Sequence, residues 1–177
     1  MRIKRILSLS IASLALATAA SAQVLISLPD ESQTTTFTAT IDEQATVTVP
    51  TDIAFHVTNV LADTASTDPS PVTVTGIVLT TTTKKLKISV KGSAFTGSST
   101  PYSTADVLFT GGDWTTTATA SSGNLNVDHS TYATLATCNA NEAACSTADA
   151  GFSLKANSAV TTNGTQSLTM TWKFESI

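Results

Sequence analysis

Few residues of this chain have the types and spacing that catalysis needs. His129 lies between Asp128 and Ser130, which is the nearest approach to a base, an acid and a nucleophile in one place. A catalytic triad needs each group oriented by the next, and no serine elbow flanks His129 or His56. A spatially assembled carboxylate pair remains the enzymatic alternative. The acids fall mostly in predicted turns, where turn propensity explains them: Asp30, Glu31, Asp42, Glu43, Asp52, Asp63, Asp68 and Asp149. The sequence predicts no catalytic residue, no metal site and no cofactor.

The two cysteines of the chain favour a disulfide bond over a catalytic role. Cys138 and Cys145 are separated by Asn-Ala-Asn-Glu-Ala-Ala. In an exported chain they are expected to form a local disulfide, worth about 2–3 kcal/mol by loop-closure arithmetic. A metal pair or a reactive thiol is the alternative, but such metal sites usually need two further Cys or His at short spacing. We therefore predict a disulfide that staples a loop.

Lysines are concentrated around one predicted strand. Strand alternation places Lys85, Lys87 and Lys91 on the same outward face, with Lys84 beside them. One interpretation is a patch that binds an anionic polymer, such as a cell-wall glycan. The other is a solvated face, or an edge strand that lysine protects from aggregation.

Three aromatic residues lie outside an evident core pattern and are candidates for stacking on sugar rings. They are Trp114, Tyr102 and Tyr132. Trp114 is also compatible with a place in a core built otherwise from small side chains. Trp172 is different, because it is in phase with Leu168 and Met170 and is predicted to face the core.

Threonine alternates with apolar residues along most of the chain, as in Leu168-Thr169-Met170-Thr171-Trp172. Period-two alternation buries one face of a strand and leaves the other in water, so we predict an all-β, antiparallel β-sandwich of jelly-roll or immunoglobulin-like type. A phase change at Gly76 predicts a bulge or bend. The Ala-rich stretch 130–150 is the only predicted place for a helical turn. Predicted strands are residues 24–28, 34–41, 44–49, 53–60, 72–80, 85–91, 106–109, 113–120, 124–128, 152–156 and 166–174.

The N-terminal residues have the pattern of a cleaved signal peptide. Arg2, Lys4 and Arg5 precede an apolar stretch, and Ala20-Ser21-Ala22 provides small residues for cleavage. We predict a signal peptide at residues 1–22 and one domain at residues 23–177, secreted to the periplasm, the cell surface or the medium. No second long apolar run follows, so no transmembrane segment is predicted.

Charge argues against nucleic acid as a partner. The whole chain has 9 basic and 13 acidic residues, and losing the three basic residues of the signal peptide leaves 6 against 13, a net charge of −7. The predicted mature chain contains no arginine, so it lacks the guanidinium groups that make bidentate phosphate contacts. The sequence therefore predicts a partner other than nucleic acid.

The last strand resembles the C-terminal Leu-Thr-x-Thr-Trp-x-Leu of WxL-type bacterial surface domains. The matching residues are Leu168, Thr169, Thr171 and Trp172, with Phe174 in place of leucine. The resemblance implies a secreted β-sandwich associated with the cell wall. The upstream motif departs from the pattern, because Trp114 is followed by Thr115-Thr116 without the leucine.

The chain end also resembles that of pilus subunits assembled by chaperone and usher. Gly164 stands at the glycine position before an alternating apolar strand, whereas Ser176 stands where those subunits have an aromatic residue. The resemblance implies an N-terminal strand donated to the next subunit. Residues 24–28, ended by Pro29, have the length and alternation for that role, and an ordinary first strand explains them equally well.

These observations predict a secreted, non-enzymatic structural or adhesive surface protein of a bacterium. The alternatives are an extracellular glycan-binding module and a pilus-like subunit that assembles by strand donation. The expected partners are cell-wall or extracellular polysaccharide, or copies of the chain itself.

Overall fold

The computed structural model describes residues 36–97, 101–115 and 118–177. Thr40–Ile177 forms one compact unit, and Met1–Ala39 is a separate unit of which residues 36–39 are described. The predicted signal peptide and the predicted strand 24–28 lie outside the described residues. The export and single-domain assignments therefore stay predictions.

The described residues form an all-β structure, as the alternation predicted. It contains three antiparallel sheets, one 3-10 turn at Thr104–Asp106, and no α-helix within the described ranges. The sandwich type stays a prediction. The strands are β1 (Gln44–Thr48), β2 (Thr64–Ala65), β3 (Val72–Val78), β4 (Leu86–Gly92), β5 (Val107–Phe109), β6 (Ala118–Ala120), β7 (Gly123–Asn124), β8 (Ala133–Cys138), β9 (Ala144–Thr147), β10 (Phe152–Leu154) and β11 (Met170–Ser176).

Three of the longer strands, β4, β8 and β11, lie in one sheet. One four-stranded sheet has the order β11-β4-β8-β6 and is called the β4 sheet below. A second four-stranded sheet has the order β2-β10-β5-β7, and a three-stranded sheet has the order β1-β3-β9. β11 pairs with β4 over its whole length, from Met170 opposite Gly92 to Ser176 opposite Leu86. Among the described residues β11 is therefore an edge strand of the β4 sheet.

The core follows the predicted strand phases. Leu86, Ile88 and Val90 on β4 are buried; of the two residues between them, Lys87 is partly exposed and Ser89 is buried. On β11, Trp172 is half-buried and packs edge-on against Phe152, with ring centroids 6.3 Å apart. The inward direction of Trp172 is thus confirmed.

Gly76 forms the predicted bulge. It has φ +60, and the β1–β3 register gains one residue on β3 between Thr75 and Val78. Glycine adopts this left-handed backbone without a Cβ clash, which explains why the phase of buried residues changes there.

The prediction for residues 130–150 was wrong. Three of the alanines that suggested a helical turn lie in strands, Ala133 and Ala136 in β8 and Ala144 in β9, and Ala136 is fully buried between neighbouring strands. Cys138 and Cys145 form the predicted disulfide, with Cα atoms 6.1 Å apart. Because β8 belongs to the β4 sheet and β9 to the three-stranded sheet, this bond ties two sheets together and does more than staple a loop.

Other predicted strands are shorter than expected or absent. Residues 53–60 have inward Ile53, Phe55 and Val57 but pair only through the single bridge between Phe55 and Ser66. Residues 36–41 form no strand. Among the described residues of 113–120, pairing is confined to β6 and a bridge from Trp114 to Thr147, and β7 covers only the start of 124–128.

Candidate functional site

The outward side of the β4 sheet gathers most of the lysines of the described chain. Antiparallel pairing sets Lys173 opposite Ser89, Glu175 opposite Lys87, and Thr171 opposite Lys91. Directly paired residues share one face of a sheet, so these side chains form a continuous surface. We call it the lysine face; its exposed or partly exposed members are Lys85, Lys87, Lys91, Tyr132, Thr134, Thr137, Thr171, Lys173 and Glu175, and Ser89 lies buried among them.

Tyr132 is the aromatic centre of the lysine face. Its half-buried ring has the Lys91 Nζ 4.9 Å and the Lys173 Nζ 5.7 Å from the ring centroid. Both distances are within the range of cation–π attraction. The ring therefore holds two ammonium groups close together, although β8, β4 and β11 are far apart in the sequence.

Glu175 links two lysines of this face, Lys87 and Lys173. One carboxylate oxygen pairs with Lys87 and the other with Lys173. Hydrogen bonds from Lys173 and then Lys87 lower the pKa of Glu175, so the carboxylate stays ionised. Four lysines and one carboxylate leave the lysine face positively charged on an acidic chain.

Part of this surface was foreseen in the sequence. The expectation that Lys85, Lys87 and Lys91 share one side is consistent with the burial of Leu86, Ile88 and Val90 between them. Lys173 and Glu175 were not assigned to it. Alternation placed Lys173 outward, but only the pairing of β11 with β4 brings it to the same surface.

The other two aromatic candidates are elsewhere. Tyr102 is only 7% exposed and lies 6.2 Å from Phe95 between ring centroids, so its expected position outside the core was wrong. Two contacts position the backbone at Tyr102. Ser103 and Asp106 form a capping box directly after it, and the Tyr102 N–H donates to Gln166 Oε1 at 2.8 Å. Burial, with the charge of Asp106, raises the pKa of Tyr102.

Trp114 is half-buried and packs against the core. Its indole N–H donates to the carbonyl oxygen of Gly111. The ring thus contributes to packing, and the structure does not bring Trp114, Tyr102 and Tyr132 together into one sugar-stacking surface. Their glycan-binding role stays a prediction.

A large groove lined by both apolar and polar residues lies beside β11, with a cavity volume of about 1120 Å³. Tyr102, Val107, Phe152 and Leu154 border it but are themselves buried, and residues 49–57 and 160–170 supply much of the remaining lining. Trp172 of the edge strand β11 also lines it. Small-molecule pockets commonly measure about 300–1,000 Å³, so this groove is large enough for a polymer segment.

The histidine that stood nearest to a catalytic grouping is held by structural contacts. His129 Nδ1 lies 3.1 Å from the Gly92 carbonyl oxygen and 3.4 Å from Thr104 Oγ1. The Asp128 carboxylate instead caps the following turn, and hydrogen bonds from the Thr131 hydroxyl, the Thr131 N–H and the Ser130 N–H lower the pKa of Asp128 to about 2. Asp128 is therefore engaged by Thr131 and Ser130.

Two further features are absent from the described ranges. No group of three His, Cys, Asp or Glu residues there is placed to hold a metal ion. No helix in the same residues has the length and apolarity needed to cross a membrane.

Comparison with known proteins gives no functional assignment, so the proposal below rests on the surfaces described above. No family model matches the chain, and no curated protein and no solved structure matches it either.

Proposed function

We propose that this chain is a secreted, non-enzymatic structural or adhesive surface protein that contacts polysaccharide through the lysine face. The observation that carries the proposal is the Tyr132 ring with the ammonium groups of Lys91 and Lys173 beside it. Threonine hydroxyls on the same side supply further hydrogen-bonding groups. A flat, hydroxyl-rich and positively charged sheet face suits an extended polymer better than a small molecule.

A binding assay with immobilised polysaccharide tests this function. The double variant Lys91→Ala/Lys173→Ala should bind an acidic uronate polysaccharide about fivefold more weakly, since two exposed ionic contacts together contribute roughly 1 kcal/mol. Lys155→Ala is the matched control, because Lys155 is an exposed lysine that directly follows β10. Binding should also weaken with added salt.

A neutral glucan of the same length separates the possible outcomes. Equal binding of both polymers would favour stacking and hydroxyl contacts over charge. Unchanged binding of the acidic polymer by the double variant would overturn the assignment of the lysine face.

Export has its own test. The basic, apolar and small-residue regions of residues 1–22 support cleavage before Gln23, and an oxidising compartment suits the Cys138–Cys145 disulfide. Intact-mass measurement of protein recovered outside the cytoplasm should give a chain that begins at Gln23 and lacks both thiol hydrogens. Retention of residues 1–22 or two free thiols would contradict export.

A subunit that assembles with copies of itself by strand addition is the second candidate function. The edge position of β11 among the described strands favours it, because strand addition pairs an incoming segment with an exposed sheet edge. Light scattering of the mature chain over a range of concentrations tests it. A chain that stays monomeric at high concentration would remove this candidate.

A further inference from the structure

One asparagine of this chain is followed directly by glycine, in the pair Asn163-Gly164. Both residues are exposed, and they lie in an irregular segment that lines the groove and precedes β11. Gly164 has φ +141, a backbone conformation that residues with a Cβ rarely adopt. The pair therefore places an exposed side-chain amide beside a backbone N–H that no side chain of its own residue shields.

Within the described residues, nothing holds the two groups of this pair that could react. The Asn163 side-chain amide and the Gly164 N–H have no hydrogen-bond partner there. Asn157 is the contrasting case, because its Nδ2 donates to the Asp106 carboxylate at 2.7 Å and its Oδ1 accepts from the Ala159 N–H at 3.0 Å. The Asn163 side chain is therefore free to turn toward the backbone that follows it.

We propose that Asn163 is a site of spontaneous covalent modification, at which the chain's own backbone displaces the side-chain amide. The Gly164 nitrogen bonds to Cγ of Asn163, the Cγ–Nδ2 bond breaks, and the Gly164 proton leaves with that nitrogen as ammonia. One water molecule then opens the five-membered imide at either of its carbonyl groups. The product is a carboxylate at position 163, on aspartate or on isoaspartate, in which the backbone runs through Cβ.

This reaction needs no enzyme, oxidant or cofactor. The nucleophile and the carbonyl carbon belong to adjacent residues, and groups held next to each other react at a high effective concentration. Exposure supplies the water that opens the imide. The modification is therefore independent of polysaccharide binding and of assembly, and it introduces a negative charge at the border of the groove.

The segment after Asn163 is fixed against a second backbone stretch. Thr96 and Ser167 exchange two backbone hydrogen bonds, of 2.8 and 3.0 Å. A Cβ added at Gly97 would lie 2.3 Å from the Thr165 carbonyl oxygen, so the two backbones approach closely. Isoaspartate adds a backbone carbon shortly before this contact, whereas aspartate adds only charge. Isoaspartate should therefore disturb the segment that leads into β11, and aspartate should not.

Peptide mapping of the folded mature chain during incubation at neutral pH tests the site. The peptide that contains residue 163 should gain about 1 Da, and an isoaspartyl methyltransferase should label it. Asn139 and Asn141 are internal controls, because alanine and glutamate follow them, and they should keep their amides. Conversion in the folded chain should be within about tenfold of the rate in the denatured chain, because the segment is exposed and the pair is held by no hydrogen bond.

Two variants test the chemistry. Gly164→Ala should slow the conversion by about tenfold, equivalent to about 1.4 kcal/mol of activation free energy, because a Cβ hinders the attacking nitrogen. The backbone at Gly164 disfavours alanine, so Asn163→Gln is the second variant. It keeps a side-chain amide but needs a larger ring, and residue 163 should then show no gain of mass over the same time.

A third variant tests the structural consequence. Asn163→Asp carries the charge without the added backbone carbon, and it should unfold at the same temperature as the unchanged chain. The isoaspartate fraction of the incubated chain should unfold at a lower temperature. Equal unfolding temperatures for these two forms would overturn the disturbance of the segment before β11.

Two results would overturn the modification site itself. One is conversion of Asn163 in the folded chain more than about tenfold below the rate in the denatured chain, which would show that the fold protects the pair. The other is equal conversion at Asn139 or Asn141, which would show that the glycine and the free backbone N–H confer no selectivity.

Discussion

The two faces of the β4 sheet differ sharply although they are made from alternating residues of the same strands. On the inner face, Ile88, Val90 and Leu135 are fully buried. On the outer face, Lys87 and Lys91 are held by Glu175 and Tyr132 in contact with water. The inner face can change little without loss of packing, whereas the outer face can change its chemistry at small cost in stability. Close packing and surface charge are thus carried by neighbouring residues of the same strands.

The largest expected effect is on the inner face. Ile88→Ala should lower the free energy of unfolding by about 3–4 kcal/mol, because it leaves a cavity among fully buried side chains. Its neighbour Lys87→Ala should change it by less than about 0.5 kcal/mol, as surface substitutions usually do. Denaturant titration of both variants measures the contrast. Similar losses of unfolding free energy for both variants would mean that the inner and outer faces contribute equally to stability.

A smaller effect is expected where the inner face borders the groove. Trp172→Ala should cost about 2–3 kcal/mol, below the usual loss for a fully buried tryptophan because this side chain is only partly buried. Thr171→Ala on the outer side is the control and should be nearly silent. An unchanged unfolding midpoint for Trp172→Ala would show that the contact with Phe152 contributes nothing.

The smallest effect concerns acid on the outer face. The pKa of Glu175 is lowered in the folded state, so its ion pairs stabilise the fold above the unfolded pKa of about 4.5, and that contribution disappears as pH falls through the lowered folded value. Glu175→Gln should therefore unfold at a slightly lower temperature than the unchanged chain at pH 7, and the gap should close in acid. Glu142→Gln, on the turn between β8 and β9, is the control. A gap that persists at pH 2 would assign the effect to packing.

The sequence was informative where alternation alone decides the structure. The β4 phase, the inward Trp172 and the Gly76 bulge follow from local patterns, because residue period and glycine backbone freedom are local properties. The prediction for residues 130–150 was wrong because alanine favours a helix in isolation, whereas Ala136 fills a small buried space between strands. The pairing of β11 with β4 sets the contact of Tyr132 with Lys91 and Lys173, and no local pattern contains that pairing.

The disulfide has a consequence for the timing of folding. Cys138 and Cys145 are 7 positions apart, whereas β4 must wait for Ser176 at the end of the chain before its pairing with β11 is complete. Closing a loop of about 10 residues takes roughly 10–100 ns, and pairings between distant segments are the slow steps of β-sheet folding. The two thiols can therefore meet while the C-terminal strand is still unpaired, whereas oxidation itself takes seconds to hours and depends on the oxidant. Once the bond has formed, it fixes one corner that two sheets share.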